Sequence, residues 1–149
     1  MIKSELMKKI MFPPNLLRLC IDNFDGQSIS GSIFGVAVPK VIAFTDMADF
    51  AVKIDEVYNQ VGQPQPFHVM RSFNEQVEYH AYKGKPITYF SSVEVDAHKG
   101  KLLSLNMVMT SRQGAEWQGI FKDLDGNIIG KYKTVLECIK CIENFIKTI

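Results

Sequence analysis

Residues 46–62 read DMADFAVKIDEVYNQVG, and residues 134–149 read TVLECIKCIENFIKTI. In the first stretch Met47, Phe50, Ala51, Ile54, Val57, Tyr58 and Val61 recur at i, i+3, i+4 and i+7, which lines apolar side chains along one face of a helix. Asp46 or Thr45 can accept the unpaired amides of the first turn, and Gly62 with Pro64 ends the helix. In the second stretch Val135, Cys138, Ile139, Ile142, Phe145, Ile146 and Ile149 form the same stripe, behind Thr134 and Glu137 as a capping box. A shift of 88 residues, the distance from Asp46 to Thr134, carries every apolar position of the first stripe onto an apolar position of the second.

Extended backward without gaps, the same shift pairs Leu17 with Leu105, Gly26 with Gly114, Gly31 with Gly119, Val36 with Leu124, Val41 with Ile129 and Phe44 with Tyr132. Any two amphipathic helices can be aligned stripe on stripe. The glycines five apart in each half are more specific, because glycine marks turns and bulges that few other residues tolerate. The pattern predicts an internal duplication.

Ahead of each helix the chain reads as strands. Leu16 to Asn23 and Ser28 to Val38 flank the hairpin signal Asp25-Gly26, and Leu102 to Ser111 and Trp117 to Leu124 flank a turn at Gly114. Asp125-Gly126-Asn127 is a tight-turn signal from which Ile128 to Tyr132 can pair back, with Pro39-Lys40 taking that part in the first half. Phe67 to Phe73 and Ile87 to Val95 read as further strands, and Asn74 to Pro86 as a polar loop. The expected fold is α+β: tandem duplicated β-β-β-α units, with one or two antiparallel sheets and two amphipathic helices packed on one face. The chain reads as a single domain over 1–149, with a first unit at 14–62, a connecting strand and loop segment at 63–101, and a second unit at 102–149.

Composition supports a folded chain and narrows the function classes. Apolar residues make up 46% and charged residues 22%, unlike a disordered chain. Seventeen basic against sixteen acidic residues leave a net charge of +1, without the clustered lysines and arginines that nucleic acid requires, despite aromatics at Tyr79, Tyr82, Tyr89 and Phe90. Lys3, Lys8 and Lys9 interrupt any apolar leader, and no stretch is long enough to span a membrane. Three cysteines without framework spacing fit a reducing compartment, so a cytoplasmic location is expected.

The run Ser111-Arg112-Gln113-Gly114-Ala115-Glu116-Trp117-Gln118-Gly119 resembles a recurring Arg-Gln-Asn-Ala-Thr-Trp-Gln-Gly signature of small uncharacterised bacterial proteins, chiefly from Gram-positive anaerobes. This chain keeps Arg112, Gln113, Ala115, Trp117, Gln118 and Gly119, and has Gly114 and Glu116 where Asn and Thr are usual. Gln63-Pro64-Gln65-Pro66-Phe67, with Arg71 and Phe73 behind it, is similar to a Pro-Gln-Ser-Phe stretch of the same proteins. The resemblance implies the architecture and no mechanism.

Candidate chemistry is sparse. Cys138 and Cys141 have redox or half-zinc spacing, yet Cys138 lies a full turn inside its helix, away from the N-terminal amides that would stabilise a thiolate. Packing is the expected role, and no metal or cofactor is expected. His68, His80 and His98 have Glu78, Glu94 and Asp96 near them in sequence, without ligand spacing. Asp123-x-Asp125-Gly126-Asn127 lacks the later ligands of a calcium loop and reads as a turn.

Trp117 is expected in the core, or, with Arg112, Gln113 and Gln118, at a contact surface. The expected function is a non-enzymatic module that binds a protein or peptide, or itself as a homodimer, through Arg112, Gln113, Trp117 and Gln118. The alternative is a small-molecule or catalytic domain with a pocket between the two units, served by His68, His80 or His98. No membrane or nucleic-acid partner is expected.

Overall fold

The computed structural model describes residues 11–62, 86–113 and 116–149. In chain order the elements are β1 (Leu16–Phe24), β2 (Ile29–Phe34), β3 (Ile42–Phe44), α1 (Met47–Val61), α2 (Ser92–Asp96), β4 (Leu103–Gln113), β5 (Glu116–Lys122), β6 (Ile128–Tyr132) and α3 (Val135–Lys147). All described strands join one antiparallel sheet in the order β3-β2-β1-β4-β5-β6. The expected fold class, α+β with antiparallel sheet, is therefore what the chain adopts, and the sheet is single.

The two long helices start where their capping residues dictate. Asp46 accepts a 2.8 Å hydrogen bond from the Asp49 amide, and Thr134 accepts one of 3.1 Å from the Glu137 amide. Each first-turn acid also reaches back past the cap: Asp49 accepts from the Thr45 amide and Glu137 from the Lys133 amide. Gly62, at φ 85°, ends α1 in the left-handed conformation that glycine adopts without steric cost.

At the sheet's centre β1 alternates strictly. Leu17, Leu19 and Ile21 enter a core cluster with Leu105, Met107, Phe121 and Tyr132 of the second half, Phe50, Ile54, Val57 and Tyr58 of α1, and Cys138, Ile142 and Ile146 of α3. Burying each large apolar side chain there contributes roughly 1.5–3 kcal/mol.

Pairing within the two halves differs by a constant 88 residues, the separation of Arg18 and Asn106. Arg18 faces Phe34 and Asn106 faces Lys122, and Leu19 faces Ile33 as Met107 faces Phe121. The β-bulge between Ile21 and Asn23 is matched by one between Met109 and Ser111. Gly31 faces Phe44 as Gly119 faces Tyr132.

Where β1 and β4 meet, Arg18 lies opposite Asn106, the one pair of that ladder separated by 88 residues, and the other pairs run symmetrically about it. Gly31 and Gly119 share a reason for being glycine. A Cβ on the first would fall on the Cys20 carbonyl oxygen, and one on the second on the Val108 carbonyl oxygen.

Two details differ from the sequence-based expectations. Residues Ile87 to Val95 form no strand; Ser91 and Glu94 close a capping box that starts the short helix α2. The second strand stops at Phe34, because Val38 turns back to bond the Gly35 carbonyl. The third strand of the first half, Ile42–Phe44, follows Pro39-Lys40, the residues expected to turn the chain. The expected strand Phe67 to Phe73 and loop Asn74 to Pro86, save Pro86 itself, lie outside the described residues.

The sheet's second face is covered unevenly. Residues 86–101 run across β1 and β2: Tyr89 and Phe90 amides bond the Val36 carbonyl, Leu102 bonds Ile21, and Phe34 stacks edge-on against Phe90 and His98. On β4 and β5 the same face carries Asn106, Val108, Ile120 and Lys122, by alternation from Met107 and Phe121 in the core. No described helix covers that half.

Candidate functional site

Arg18 organises the boundary between covered and uncovered halves. A guanidinium in the middle of a buried strand must find partners for its donors or cost several kcal/mol. Its Nη1 donates to the Asp96 and His98 carbonyls at 2.9 Å, its Nη2 pairs with Asp96 Oδ1 at 2.6 Å, and its Nε donates to Asn106 Oδ1 at 2.7 Å. The Phe12 ring lies 5.8 Å from the guanidinium carbon. These bonds hold the 86–101 segment onto the sheet.

A groove of about 430 Å³ opens beside this ion pair. Its floor is Leu16, Asn106, Val108 and Lys122; Met11, Phe12 and Pro13 form one wall, and Asp96, Leu124, Asp125 and Gly126 complete it. That volume falls within the range of small-ligand clefts, roughly 300–1,000 Å³. The groove thus combines residues 11–16, Asp96 of the 86–101 segment, and residues of β4, β5 and the turn that follows.

The turn 123–127 is rigidly set. Asp123 Oδ1 accepts from the Asp125 and Asn127 amides, Oδ2 accepts from Asn127 Nδ2, and Gly126 adopts φ 90°. Those amide bonds, led by that from Asn127, hold the Asp123 carboxyl below its ordinary range. Both its oxygens are engaged by the loop itself, and Asp125 is left at the groove's rim.

The residues expected at a contact surface do not share one. Trp117 is only 3% exposed and packs in the core cluster. Arg112 is equally buried, donating to Asp55 Oδ1 at 2.8 Å and Asn59 Oδ1 at 2.9 Å, which ties β4 to α1. Gln113 and Gln118 are exposed. An arginine paired across β4 and β5 with a core tryptophan is fixed by the fold's interior, which the linear run Arg112 to Gln118 did not reveal.

Of the histidines, His98 is half-buried, with Nε2 3.2 Å from Ser32 Oγ on the covered half; His68 and His80 lie outside the described residues. Asp96 sits across the segment on Arg18, and Glu94 is used in the α2 cap. Among the described residues no three His, Cys, Asp or Glu side chains gather.

Burial pushes the Cys20 thiol up to about 11 and raises Cys138 further, with Cys141 also raised. A redox pair needs the opposite shift. Among the described residues no helix is long and apolar enough to cross a membrane.

Sequence reasoning missed Arg18, Asn106 and Lys122. The signal was available as Arg18 inside the apolar run Leu16 to Ile21, since a charge there demands a buried partner. No protein-family model, curated protein or solved structure matches the chain.

Proposed function

We propose that this chain is a non-enzymatic binding module whose small ligand sits in the groove between two duplicated β-β-β-α units, both long helices covering the opposite face of the sheet. The observation that carries it is the half-covered second face: the segment clamped by Arg18 closes over β1 and β2 and leaves a cleft against β4 and β5. The matched registers, bulges and glycines at the 88-residue offset support the duplication. The unpaired thiols of Cys20, Cys138 and Cys141 support a reducing, cytoplasmic setting.

A second reading has its own observation. β6 ends the sheet and places Ile128 and Ile129, 55% and 40% exposed, on an edge with no described strand beyond it. Such an edge suits a protein partner or a second copy of the chain.

Titration of isotope-labelled full-length protein with a fragment library separates the two. Saturable resonance shifts confined to Asn106, Val108, Lys122 and Leu124 support the groove. Concentration-dependent broadening at Ile128 and Ile129 supports the edge, and no saturable shift at the groove with any fragment defeats the first reading.

A further inference from the structure

Resting on the groove reading, we propose that the ligand presents a carboxylate, held by Asn106 Nδ2 and Lys122 Nζ, on an apolar body that lies against Phe12, Leu16, Val108 and Leu124. The orientation of Asn106 is forced. Arg18 has donors only, so its 2.7 Å bond from Nε fixes the amide oxygen toward Arg18 and turns the NH₂ group away from it.

Asn106 is 3% exposed and lines the groove, and its Nδ2 has no hydrogen bond to the described residues. Among the described residues no fully buried side-chain nitrogen or oxygen lacks a partner, so this NH₂ group meets solvent in the groove, where a ligand oxygen can take the place of water.

Lys122 stands directly opposite Asn106 on the neighbouring strand, lines the same groove and pairs with no described carboxylate. Cross-strand partners place their Cβ atoms about 4.5–5.5 Å apart, within reach of one bound group. The acids nearby do not cancel this. The charge of Asp96 is compensated by Arg18 at 2.6 Å, and Asp125 is solvent-exposed at the rim, where water screens it. One ammonium and one amide then offer charge-assisted bonds to a carboxylate, while the flanking apolar residues favour a short hydrocarbon chain.

The test uses full-length protein and three six-carbon probes, hexanoate, hexan-1-ol and hexylamine, followed by the Asn106 side-chain resonance and by calorimetry. Hexanoate should bind saturably and at least about tenfold more tightly than the alcohol, the difference of one charge-assisted hydrogen bond. Asn106→Asp keeps the acceptor for Arg18 but replaces the groove-facing donor with an oxygen, and should lose hexanoate binding. Lys122→Met should weaken it about tenfold without touching the Arg18 bonds.

Equal binding of alcohol and acid, or unchanged hexanoate binding in Lys122→Met, overturns the carboxylate while leaving the groove in place. No groove shift with any probe overturns the groove itself.

Discussion

Arg18 Nε donates a 2.7 Å hydrogen bond to Asn106 Oδ1, and the two residues are each other's counterparts at the 88-residue offset, paired directly across β1 and β4. The arginine binds the 86–101 segment, and the asparagine lines the open groove. The difference between these two side chains separates a covered half from a cleft.

The buried Arg18 guanidinium is expected to dominate the stability of that segment. Arg18→Met should cost about 3 kcal/mol or more, because it leaves two carbonyls, Asn106 Oδ1 and the Asp96 carboxylate without their donor. Asp96→Asn retains an acceptor at a site whose side chain is 33% exposed, so its loss should stay near or below about 1 kcal/mol. Urea midpoints of the two variants measure the difference, and similar losses would show that the clamp is not built on the buried guanidinium.

The helix caps should behave as independent units. Asp46→Ala and Thr134→Ala each remove a side-chain acceptor for an N-terminal amide and should cost about 1 kcal/mol apiece. They lie on different helices and share no hydrogen-bond partner, so the double variant should be additive within about 0.5 kcal/mol. Thermal melts of the four proteins give the result directly.

Alkaline titration should reveal Cys20. Burial raises its thiol from 9.0 to about 11, so the folded state favours the neutral form. Its contribution is complete below 9.0, where the unfolded thiol is also neutral, and is lost as pH rises toward about 11. Cys20→Ala should therefore flatten part of the decline in unfolding free energy across that window. Cys138, raised for the same reason, accounts for a remaining part of the slope.

Thiol chemistry at constant pH gives a companion check. Cys141 is the half-exposed cysteine, with its sulfur 3.6 Å from the Lys131 carbonyl, while Cys20 and Cys138 are buried. Alkylation of native protein followed by mass spectrometry should label Cys141 first. Early labelling of Cys138 would contradict its place on the buried face of α3.

Much of this arrangement is legible in the sequence because its signals are local and recur at one offset. The stripes of α1 and α3 and the spacing of Gly31 and Gly119 need only local periodicity and a constant offset. α2 escaped because five residues are too few for a helical period; only its Ser91-x-x-Glu94 box announced it. The groove was illegible for another reason. Asn106 and Lys122 look like ordinary polar positions on a strand until the 86–101 segment is seen to cover one half of the sheet, a long-range choice that no local pattern encodes. Trp117 took the core place expected first for it, whereas Arg112 misled in the opposite direction: a residue type common at interfaces was used for the interior.

The matched glycines offer the sharpest mutational contrast. At Gly31 and Gly119 the backbone conformation is ordinary, but a Cβ would overlap the carbonyl oxygen of Cys20 or Val108 on the adjacent strand. A backbone atom cannot step aside as a side chain can, so Gly31→Ala and Gly119→Ala should each cost about 2–3 kcal/mol or more by forcing strands apart. At Gly26 and Gly126 nothing lies within 4 Å, and the difficulty is the positive φ of 97° and 90°. Alanine there should cost only about 1–2 kcal/mol. Denaturant unfolding of the four variants orders them, and a Gly31→Ala loss no larger than that of Gly26→Ala would mean that β1 and β2 do not approach as closely as the register requires.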